Sequence, residues 1–509
     1  MRIKHFLIQK KEIILILLFY TVLYSFNLDK FPVINVDENW FVNPAYNLAM
    51  FGYMGTSMIF GFYNIANFTY WQPPVYFLLL AGSFKLFGFG VVQARMVGVF
   101  LGFLTVLFTY LLGLNLYNKR VGLLASFLLV LNPLFFFISR NARMEIAVAC
   151  FMVVALYFTF LALKNSKLVY YFAAAFFATL SILSHPNGLI AVLAVLLIIL
   201  IEKIDFKKLK FYLSFKEISS LILGFVIPLI PYAWYLSLDL AAFKGQFISN
   251  IASSPSNPFN NFIMEPTRYT GLFQWFVTYN GMVLTFTVFL VSLILMGLGL
   301  HYLVCERRYG DKFLLLVLIV SIGVFSILVY HKYFIYLGII MPYLSILLSL
   351  TFNHKITFKP DRKSINSIVL IFLWVVLIVG NCIFLNNFLE KTKNYDYEAI
   401  KEEVQKYIPP GSVVIGDRNY WIALQEEYRY YGCDISYGEG SYQYKIKTTD
   451  MLTDLKVEYI LFDREVWASE DKYIENFLNQ NCTLIGEIPA NDTNGYGFIK
   501  IYRIKNVSN

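Results

Sequence analysis

The stretch Met96–Ser139, MVGVFLGFLTVLFTYLLGLNLYNKRVGLLASFLLVLNPLFFFIS, decides the fold class of this 509-residue chain. Two apolar runs, Met96–Tyr117 and Val121–Ser139, flank a short basic turn at Lys119 and Arg120. Each run is close to the roughly 20 residues that an α-helix needs to cross the hydrocarbon core of a membrane. The pattern therefore predicts two neighbouring transmembrane helices joined by a turn.

Similar runs fill the first three quarters of the chain and predict about eleven transmembrane helices in all. The other runs are Ile13–Phe26, Met144–Leu163, Leu168–Leu183, Gly188–Ile201, Ile218–Leu236, Gly281–Val304, Phe313–Tyr330, Phe334–Phe352 and Ile368–Leu385. The composition agrees, because 58% of the residues are hydrophobic and only 15% are charged, whereas a soluble domain carries about 25% charged residues. We therefore expect a mainly α polytopic membrane protein.

The segment Pro73–Gly88, PPVYFLLLAGSFKLFG, is apolar but short, and whether it crosses the membrane decides the orientation of every later helix. If it does not cross, the loops on the side of the N-terminus carry 20 Lys and Arg residues and the opposite loops carry 8. Basic residues are enriched in cytoplasmic loops. We therefore expect this segment to lie along the outer membrane surface, with the N-terminus cytoplasmic and the C-terminus outside. Residues 27–95 then form a long outer loop, and loops of this length are usually functional.

Residues 391–509 are predicted to form a small extracytoplasmic α/β domain after a membrane domain of residues 1–390. This tail holds 14 Lys and Arg residues against 19 Asp and Glu, whereas the whole chain has a net charge of +9. The pattern predicts a mixed sheet flanked by helices. The strands are Ser412–Gly416, Tyr459–Phe462 and Ile499–Ile504, and the helices are Tyr397–Tyr407 and Tyr473–Asn479. A disulfide between Cys433 and Cys482 stays open, because it requires an oxidising compartment.

Ionisable residues at membrane depth are costly, which makes them functional candidates. Four groups gather on the predicted outer side: Asp37 and Glu38 after the first helix, Arg140, Arg143 and Glu145 after the third, His185 between the fifth and sixth, and Lys332 after the ninth. Adjacent carboxylates can supply a general base and its neighbour, and arginine binds phosphate through paired hydrogen bonds. The competing interpretations are a solvated turn for the carboxylates, interface anchoring for the basic residues and a structural role for the histidine.

Several function classes lack their motifs in this sequence. It holds no G-x-x-x-x-G-K-[ST] phosphate loop and no dinucleotide-binding fingerprint after a strand. It has no Asp-x-Asp pair of the kind that holds a nucleotide sugar through a metal, and its five histidines lack zinc-site spacing. A cytoplasmic nucleotide is therefore a poor candidate for a donor substrate.

In their order along the chain, the candidate groups resemble the GT-C glycosyltransferases of the dolichyl-phosphate-mannose protein mannosyltransferase and lipid A aminoarabinose transferase type. Asp37-Glu38 is similar to the acidic pair in that family's first outer loop, and Gln72-Pro73-Pro74 is similar to its Pro-Pro segment. Arg140–Glu145 resembles its Arg-x-x-Arg-x-acid motif, and Pro186-Asn187-Gly188 resembles its Pro/Gly break. The resemblance covers residues 10–240 best.

The resemblance implies an enzyme of the cell membrane that transfers a hexose or pentose, with inversion, from a polyprenyl-phosphate donor to an acceptor on the outer face. Asp37 would be the general base and Glu38 would orient it. The donor lipid phosphate would be bound by Arg140, Arg143, Lys332 and His185. Whether Asp37 and Glu38 hold a divalent metal ion or act without one stays open. The acceptor, whether lipid, glycan or protein, stays open too, and no nucleic acid partner is expected.

Two positions depart from the family pattern. Gln72 stands where many members have Lys before the Pro-Pro pair, and Trp40 stands where aminoarabinose transferases have Arg. The donor-phosphate contacts must therefore differ, and the aminoarabinose reaction itself is not implied. The alternatives are a transporter or flippase of lipid-linked sugars, and a structural membrane protein whose tail binds a partner. Transporters commonly show repeats in their hydropathy, and we see none here.

Overall fold

The computed structural model of the chain describes residues 11–59, 62–205, 210–252, 257–353, 363–432, 452–463, 472–490 and 498–505. Within these residues, eight helices are long and apolar enough to cross a membrane, or nine if the bent pair Lys119–Leu131 and Pro133–Ser139 forms one span. A small sheet lies near the C-terminus. The expected fold class, a mainly α polytopic membrane protein with a small α/β region, is confirmed.

Long apolar helices alternate with short ones in the first half of the membrane part. Their bounds are α1 Lys11–Ser25, α2 Val36–Phe51, α3 Val75–Phe87, α4 Val91–Leu116, α5 Lys119–Leu131, α6 Pro133–Ser139, α7 Glu145–Asn165, α8 Leu168–Ile182 and α9 Leu189–Lys203. A short 3-10 segment, Pro186–Gly188, leads into α9. An antiparallel ribbon follows, formed by β1 Ile204–Asp205 and β2 Lys210–Phe211.

The second half of the membrane part contains further long helices and several short ones that connect them. Their bounds are α10 Phe215–Val226, α11 Leu229–Ser237, α12 Leu240–Ala252, α13 Pro258–Ile263, α14 Pro266–Asn280, α15 Met282–Glu306, α16 Tyr309–Ile327, α17 Met341–Asn353 and α18 Lys363–Lys391. A 3-10 segment, Phe334–Ile340, leads into α17. In the described part of the chain, α1, α8 and α9 are helices of 15 residues each, and α9 continues directly from its 3-10 segment.

Asparagine and proline explain where the predicted helix Val121–Ser139 is interrupted. Asn132 has extended backbone angles, and its side chain accepts a hydrogen bond from the Phe135 N–H at 2.9 Å. Pro133 then occupies the first turn of α6, where its missing N–H costs nothing. The helices α5 and α6 meet at 70°, so the prediction of one continuous helix is wrong here.

The segment that decided the predicted orientation is short in the structure as well. Helix α3 has 13 residues, fewer than a full crossing requires. One side of it is buried, including Tyr76, Phe77 and Leu80, while Leu78 and Leu86 are exposed. Its length agrees with a helix that does not span the membrane, and the orientation of the termini stays a prediction.

Helix α7 lies at the centre of the bundle. It packs against α4, α8 and α9, and 78% of its most apolar stretch is buried. By contrast, only 11% of the corresponding stretch of Phe215–Ser237 is buried, as expected of helices that face lipid. The charged residues around the N-terminal end of α7 therefore lie at the end of the span with the largest buried share among the described residues.

The tail contains a five-stranded mixed sheet. Its strands are β3 Val413–Gly416, β4 Arg429–Gly432, β5 Tyr459–Asp463, β6 Cys482–Ile488 and β7 Ile499–Ile504, and its helices are α19 Ala399–Gln405, α20 Trp421–Leu424 and α21 Lys472–Asn481. The strand order is β4-β3-β5-β7-β6. Strand β3 runs parallel to both of its neighbours, β4 and β5, whereas β7 runs antiparallel to both of its neighbours, β5 and β6. The sequence prediction missed β4 and β6. Cys482 is buried and Cys433 lies outside the described residues, so their pairing stays a prediction.

The tail rests on α2 and on the segment that follows it. The Asn39 Nδ2 group donates to the Asn419 carbonyl at 3.3 Å, and the Ile422 N–H donates to Asn39 Oδ1 at 2.9 Å. The Gly432 N–H donates to the Met58 carbonyl at 2.9 Å. These contacts join the tail to the helix that begins with the acidic pair.

Candidate active site

The acidic pair occupies the first turn of α2, where an asparagine cap sets its position. The Asn35 side chain accepts hydrogen bonds from the N–H groups of Asp37 and Glu38, at 3.0 and 3.2 Å. Carboxylates in the first turn of a helix are also favoured by the helix dipole. The two side chains nevertheless enter different surroundings, and this difference separates their roles.

Glu38 is buried and fully engaged. Its two carboxylate oxygens accept from Arg95 Nε at 2.9 Å and from Arg95 Nη2 at 2.7 Å, and its Oε1 also accepts from the Ala142 N–H at 2.8 Å. Arg95 is fully buried and donates in addition to the Leu28 carbonyl at 2.9 Å. This ion pair ties α2 to α4 and to the turn before α7. Glu38 therefore fixes the acidic turn in place and has little freedom to contact substrate.

Asp37 is the accessible member of the pair. Its side chain is 51% exposed, and its Oδ2 accepts a hydrogen bond from Arg143 Nη1. Among the described residues, only this oxygen of the carboxylate is hydrogen-bonded, which leaves Oδ1 available as a proton acceptor. Arg143 also donates to Glu145, from Nη2 at 2.7 Å and from Nε at 3.2 Å. One guanidinium is thus shared between an exposed carboxylate and a buried one.

The charge of Arg143 is secured by this sharing. Burial alone lowers the pKa of Arg143, but Glu145 and Asp37 outweigh burial and raise the pKa above its ordinary value. The side chain is only 7% exposed, so its orientation is set by the protein. Arg143 is therefore a fixed positive charge beside Asp37.

Arg140, the first arginine of the motif, has a different environment from Arg143. It is fully buried, and its guanidinium donates to the carbonyls of Leu23, Tyr24, Asn27 and Phe31 at 2.8 to 3.2 Å. The carbonyls at the C-terminal end of a helix lack partners within the helix. Arg140 therefore holds the end of α1, and its donors are directed at the main chain instead of at a ligand site.

His185 lies in the turn between α8 and α9, near the same cluster. Its Nδ1 accepts a hydrogen bond from the Asn187 N–H at 3.1 Å. The surrounding protein removes water from the ring and lowers the pKa of His185 to about 4, and the carboxylates of Glu145 and Asp37 oppose this effect only in part. The imidazole is therefore neutral near pH 7 and adds no positive charge for a phosphate.

A second cluster of charges, the Lys332 cluster, consists of Glu265, Arg268 and Lys332. The Glu265 carboxylate accepts from Arg268 Nε at 2.9 Å and lies 2.9 Å from Lys332 Nζ. All three side chains are less than 10% exposed. Because one carboxylate faces two cations, the cluster carries an excess positive charge. Arg268 was not among the predicted residues, although the predicted outer face holds few basic residues.

Tyr336 connects the Lys332 cluster with His185. Its ring centroid lies 5.7 Å from Arg268 Cζ and 5.6 Å from the His185 ring centroid. The charges of Glu145, Arg143 and Asp37 all act on the pKa of His185, so they lie near its ring. The structure therefore brings Asp37, Arg143, His185 and Lys332 to one end of the bundle, while Arg140 is turned toward α1.

Three buried polar atoms near Asp37 and His185 lack a hydrogen-bond partner among the described residues. The Val75 N–H donates to the Leu183 carbonyl at 3.0 Å, which places the start of α3 against the His185 turn. Around this contact, Gln72 Oε1, Tyr76 Oη and Asn187 Nδ2 are buried and make no hydrogen bond to any described residue. Most buried polar groups in proteins are hydrogen-bonded. These three are therefore suited to contact a polar ligand.

The donor set of the site does not fit a divalent metal ion. Both oxygens of Glu38 face the guanidinium of Arg95, and Asp37 is paired with Arg143. A hard divalent cation needs several oxygen ligands in one place. Within the described residues, no group of three His, Cys, Asp or Glu side chains gathers in a metal-binding arrangement.

Part of the chain matches a known protein family, and two curated proteins are similar to it in sequence. The family described as dolichyl-phosphate-mannose-protein mannosyltransferase matches residues 71–232, from just before α3 to α11. An uncharacterized protein of Aquifex aeolicus is 22% identical over 374 residues, which is 73% of this chain and 68% of that protein. The putative mannosyltransferase YkcB of Bacillus subtilis is 26% identical over 176 residues, which is 33% of this chain and 23% of that protein.

Solved structures extend the match to the whole chain. The crystal structure of ArnT from Cupriavidus metallidurans bound to undecaprenyl phosphate superposes with a TM-score of 0.67 at 12% identity, covering 98% of this chain and 99% of that one. At this identity the likeness establishes the fold. The resemblance expected from the sequence is thereby confirmed: this chain is a polytopic membrane protein with the fold of the GT-C glycosyltransferases, and its residues 71–232 match the dolichyl-phosphate-mannose-protein mannosyltransferase family.

Proposed function

We propose that this protein transfers a sugar from a polyprenyl-phosphate donor to a hydroxyl group of an acceptor, with inversion, on the outer face of the cell membrane. The observation that carries the proposal is the half-exposed carboxylate of Asp37, held by the buried Arg143 at the first turn of α2. A positioned carboxylate with one free oxygen has the geometry of a general base.

In the proposed reaction, Asp37 Oδ1 takes the proton of the acceptor hydroxyl while the oxygen of that hydroxyl attacks the anomeric carbon of the donor sugar. The bond between the anomeric carbon and the donor phosphate breaks, and the phosphate leaves with the electron pair. Because one displacement occurs at the carbon, its configuration inverts. Arg143 orients Asp37, and Glu38 holds the turn through Arg95.

The leaving phosphate needs fixed positive charge. Lys332 and Arg268 supply it, because Glu265 is their single counter-charge among the described residues and leaves the cluster with a net positive charge. His185, being neutral near pH 7, serves as a hydrogen-bonding group instead of a charge. The structure of ArnT bound to undecaprenyl phosphate, which shares this fold, supports a polyprenyl phosphate as the carrier.

The orientation of the protein in the membrane is part of the proposal. The loops that continue from the N-terminal side carry most of the Lys and Arg residues, as is typical of cytoplasmic loops. Asp37, Lys332 and the tail all lie at the other end of the bundle, away from these basic loops. We therefore place the site and the tail, residues 391–509, outside the cytoplasm.

The test is release of sugar from a panel of radiolabelled polyprenyl-phosphate sugars by the purified protein, with membrane extract as the acceptor source. We expect one donor to be consumed and Asp37→Asn to reduce turnover at least about a hundredfold, the lower range for loss of a general base. Asp29→Asn is the matched control, because Asp29 is an exposed carboxylate on the same loop. Equal turnover by Asp37→Asn and wild type, or no reaction with any donor, would favour the transporter alternative.

A further inference from the structure

A cavity of about 830 Å³ separates the C-terminal half of α2 from the tail, and we name it the tail cavity. Tyr46, Phe51 and Tyr53 line it from α2 and the residues just after that helix, and Trp421 and Tyr428 line it from the tail. Ligand sites in proteins have volumes of roughly 300–1,000 Å³ and combine aromatic walls with a few polar groups. We infer that the tail cavity binds a saccharide that forms part of the acceptor; its role as acceptor, though not its binding, rests on the proposed function.

The aromatic side chains of this cavity form a continuous surface. The Tyr46 ring lies 5.7 Å from the Trp421 ring at an angle of 76°, so the two parts of the chain meet ring to ring. Phe51 and Tyr53 stack with centroids 6.3 Å apart, and they are 66% and 37% exposed. Such exposure leaves apolar area uncovered beside the tail, which favours a ligand that covers it.

Polar groups border the rings closely. Asn47 and Ser57 lie on the side of α2, and Arg429, Asp454 and Lys456 lie on the side of the tail. Gln425 also lines the cavity, and its side chain is hydrogen-bonded to the hydroxyl of Tyr46. Polar groups from α2 and from the tail therefore stand beside the rings.

A saccharide combines the two chemistries that this lining requires. The C–H faces of a sugar ring are apolar and pack against aromatic faces, while its hydroxyl groups both donate and accept hydrogen bonds. A hydrocarbon chain would offer no polar contact to Arg429, Asp454 or Lys456, and a polyanion would meet Asp454 as well as the cations. The mixed lining therefore favours a neutral saccharide.

The position of the cavity connects it with the candidate base. Tyr46 lies nine residues after Asp37 on α2, a rise of roughly 14 Å along the helix axis and about two and a half turns, so the two side chains stand on opposite faces of the helix. A sugar chain that extends from the cavity to Asp37 must therefore pass around α2 and needs several sugar units between the two places. The tail completes the cavity, which gives this domain a task in selecting the acceptor.

The first test measures binding without turnover. The full-length Asp37→Asn protein in lipid nanodiscs is applied to a printed array of bacterial and eukaryotic glycans, and we expect at least one neutral glycan to bind. In the same background, Phe51→Ala should weaken that binding about tenfold, as expected for the loss of an aromatic contact. Phe87→Ala is the matched control, since Phe87 is 70% exposed but does not line the cavity. The inference is overturned if the Asp37→Asn protein binds no glycan on the array, or if adding Phe51→Ala leaves the binding unchanged.

A second arm separates the two hypotheses and the source of the saccharide. If sugar transfer is observed, Phe51→Ala in the otherwise wild-type protein should raise the KM for the acceptor and leave the KM for the donor unchanged. If glycans bind but no donor reacts, the proposed function fails and the binding site stands. Comparing a bound glycan free in solution with the same glycan lipid-linked in the nanodisc then shows whether the cavity takes soluble or membrane-anchored chains.

Discussion

The carboxylate of Glu38 and the guanidinium of Arg95 form a buried, two-point ion pair, with distances of 2.7 and 2.9 Å. Asp37, the neighbouring residue, is half exposed. Of these two adjacent carboxylates, Glu38 therefore stabilises the fold and Asp37 is available to substrate. Their substitutions should accordingly have different effects.

Glu38→Gln should lower the stability of the protein, whereas Asp37→Asn should leave it close to that of wild type. Removing one partner of a buried ion pair leaves the other charge uncompensated, which costs about 3–5 kcal/mol. Arg95 is fully buried, so it would bear this cost. Thermal unfolding of both variants in the same detergent checks the expectation. A Glu38→Gln protein as stable as wild type but inactive would instead make Glu38 a catalytic residue.

Arg140→Ala should lower stability without weakening donor binding. The side chain loses hydrogen bonds to four carbonyls at the end of α1, each net contribution being about 1 kcal/mol. The measurement pairs a melting curve with the donor KM of the folded fraction. A donor KM raised tenfold at unchanged melting temperature would restore Arg140 to the phosphate site expected from the sequence.

Lys332→Gln should weaken donor binding by about tenfold, which corresponds to about 1.4 kcal/mol. The substitution removes one of the two cations that face Glu265, so the Lys332 cluster loses its excess positive charge. The donor KM is compared with that of Lys244→Gln, in which an exposed lysine of α12 undergoes the same change. Equal KM values for the two variants would argue against a phosphate site at Lys332.

His185 should make the protein less stable in mild acid. The pKa of His185 is about 4 in the folded protein and 6.5 in the unfolded chain, so between these values the unfolded chain binds more protons. Stability therefore falls as the pH drops from about 6.5 to about 4. His185→Asn keeps an acceptor for the Asn187 N–H, and should flatten the melting temperature over this pH window. A pH profile identical to wild type would contradict the buried neutral state.

Much of this architecture could be predicted from the sequence, because the signals are local. Apolar runs of spanning length locate the membrane helices, and short runs rich in Val, Ile, Tyr and Phe locate β3, β5 and β7. The break at Asn132-Pro133 is also a local signal, although the length of the surrounding run concealed it. Strand β6 was missed because Gly486 and an irregularity in the pairing register interrupt its apolar run.

The partners within the site could not be predicted, because they are distant in sequence. Arg95 lies 57 residues after Glu38, and nothing in the spacing indicates that they pair. Arg140 and Arg143 belong to one short motif, yet one faces the end of α1 and the other faces Asp37. Only the three-dimensional arrangement separates a structural arginine from an arginine of the site.

The contact between Asn39 and Ile422 spans 383 residues, and this distance has a consequence for biosynthesis. A ribosome makes the helix that bears Asp37 well before it reaches the tail. The hydrogen bonds between Asn39 and the tail can therefore form only after the chain has been translated through Ile422 and this part has reached the same side of the membrane as Asn39. A nascent chain that stops before Ile422 lacks the contact, so the membrane helices are made before α2 is held by the tail.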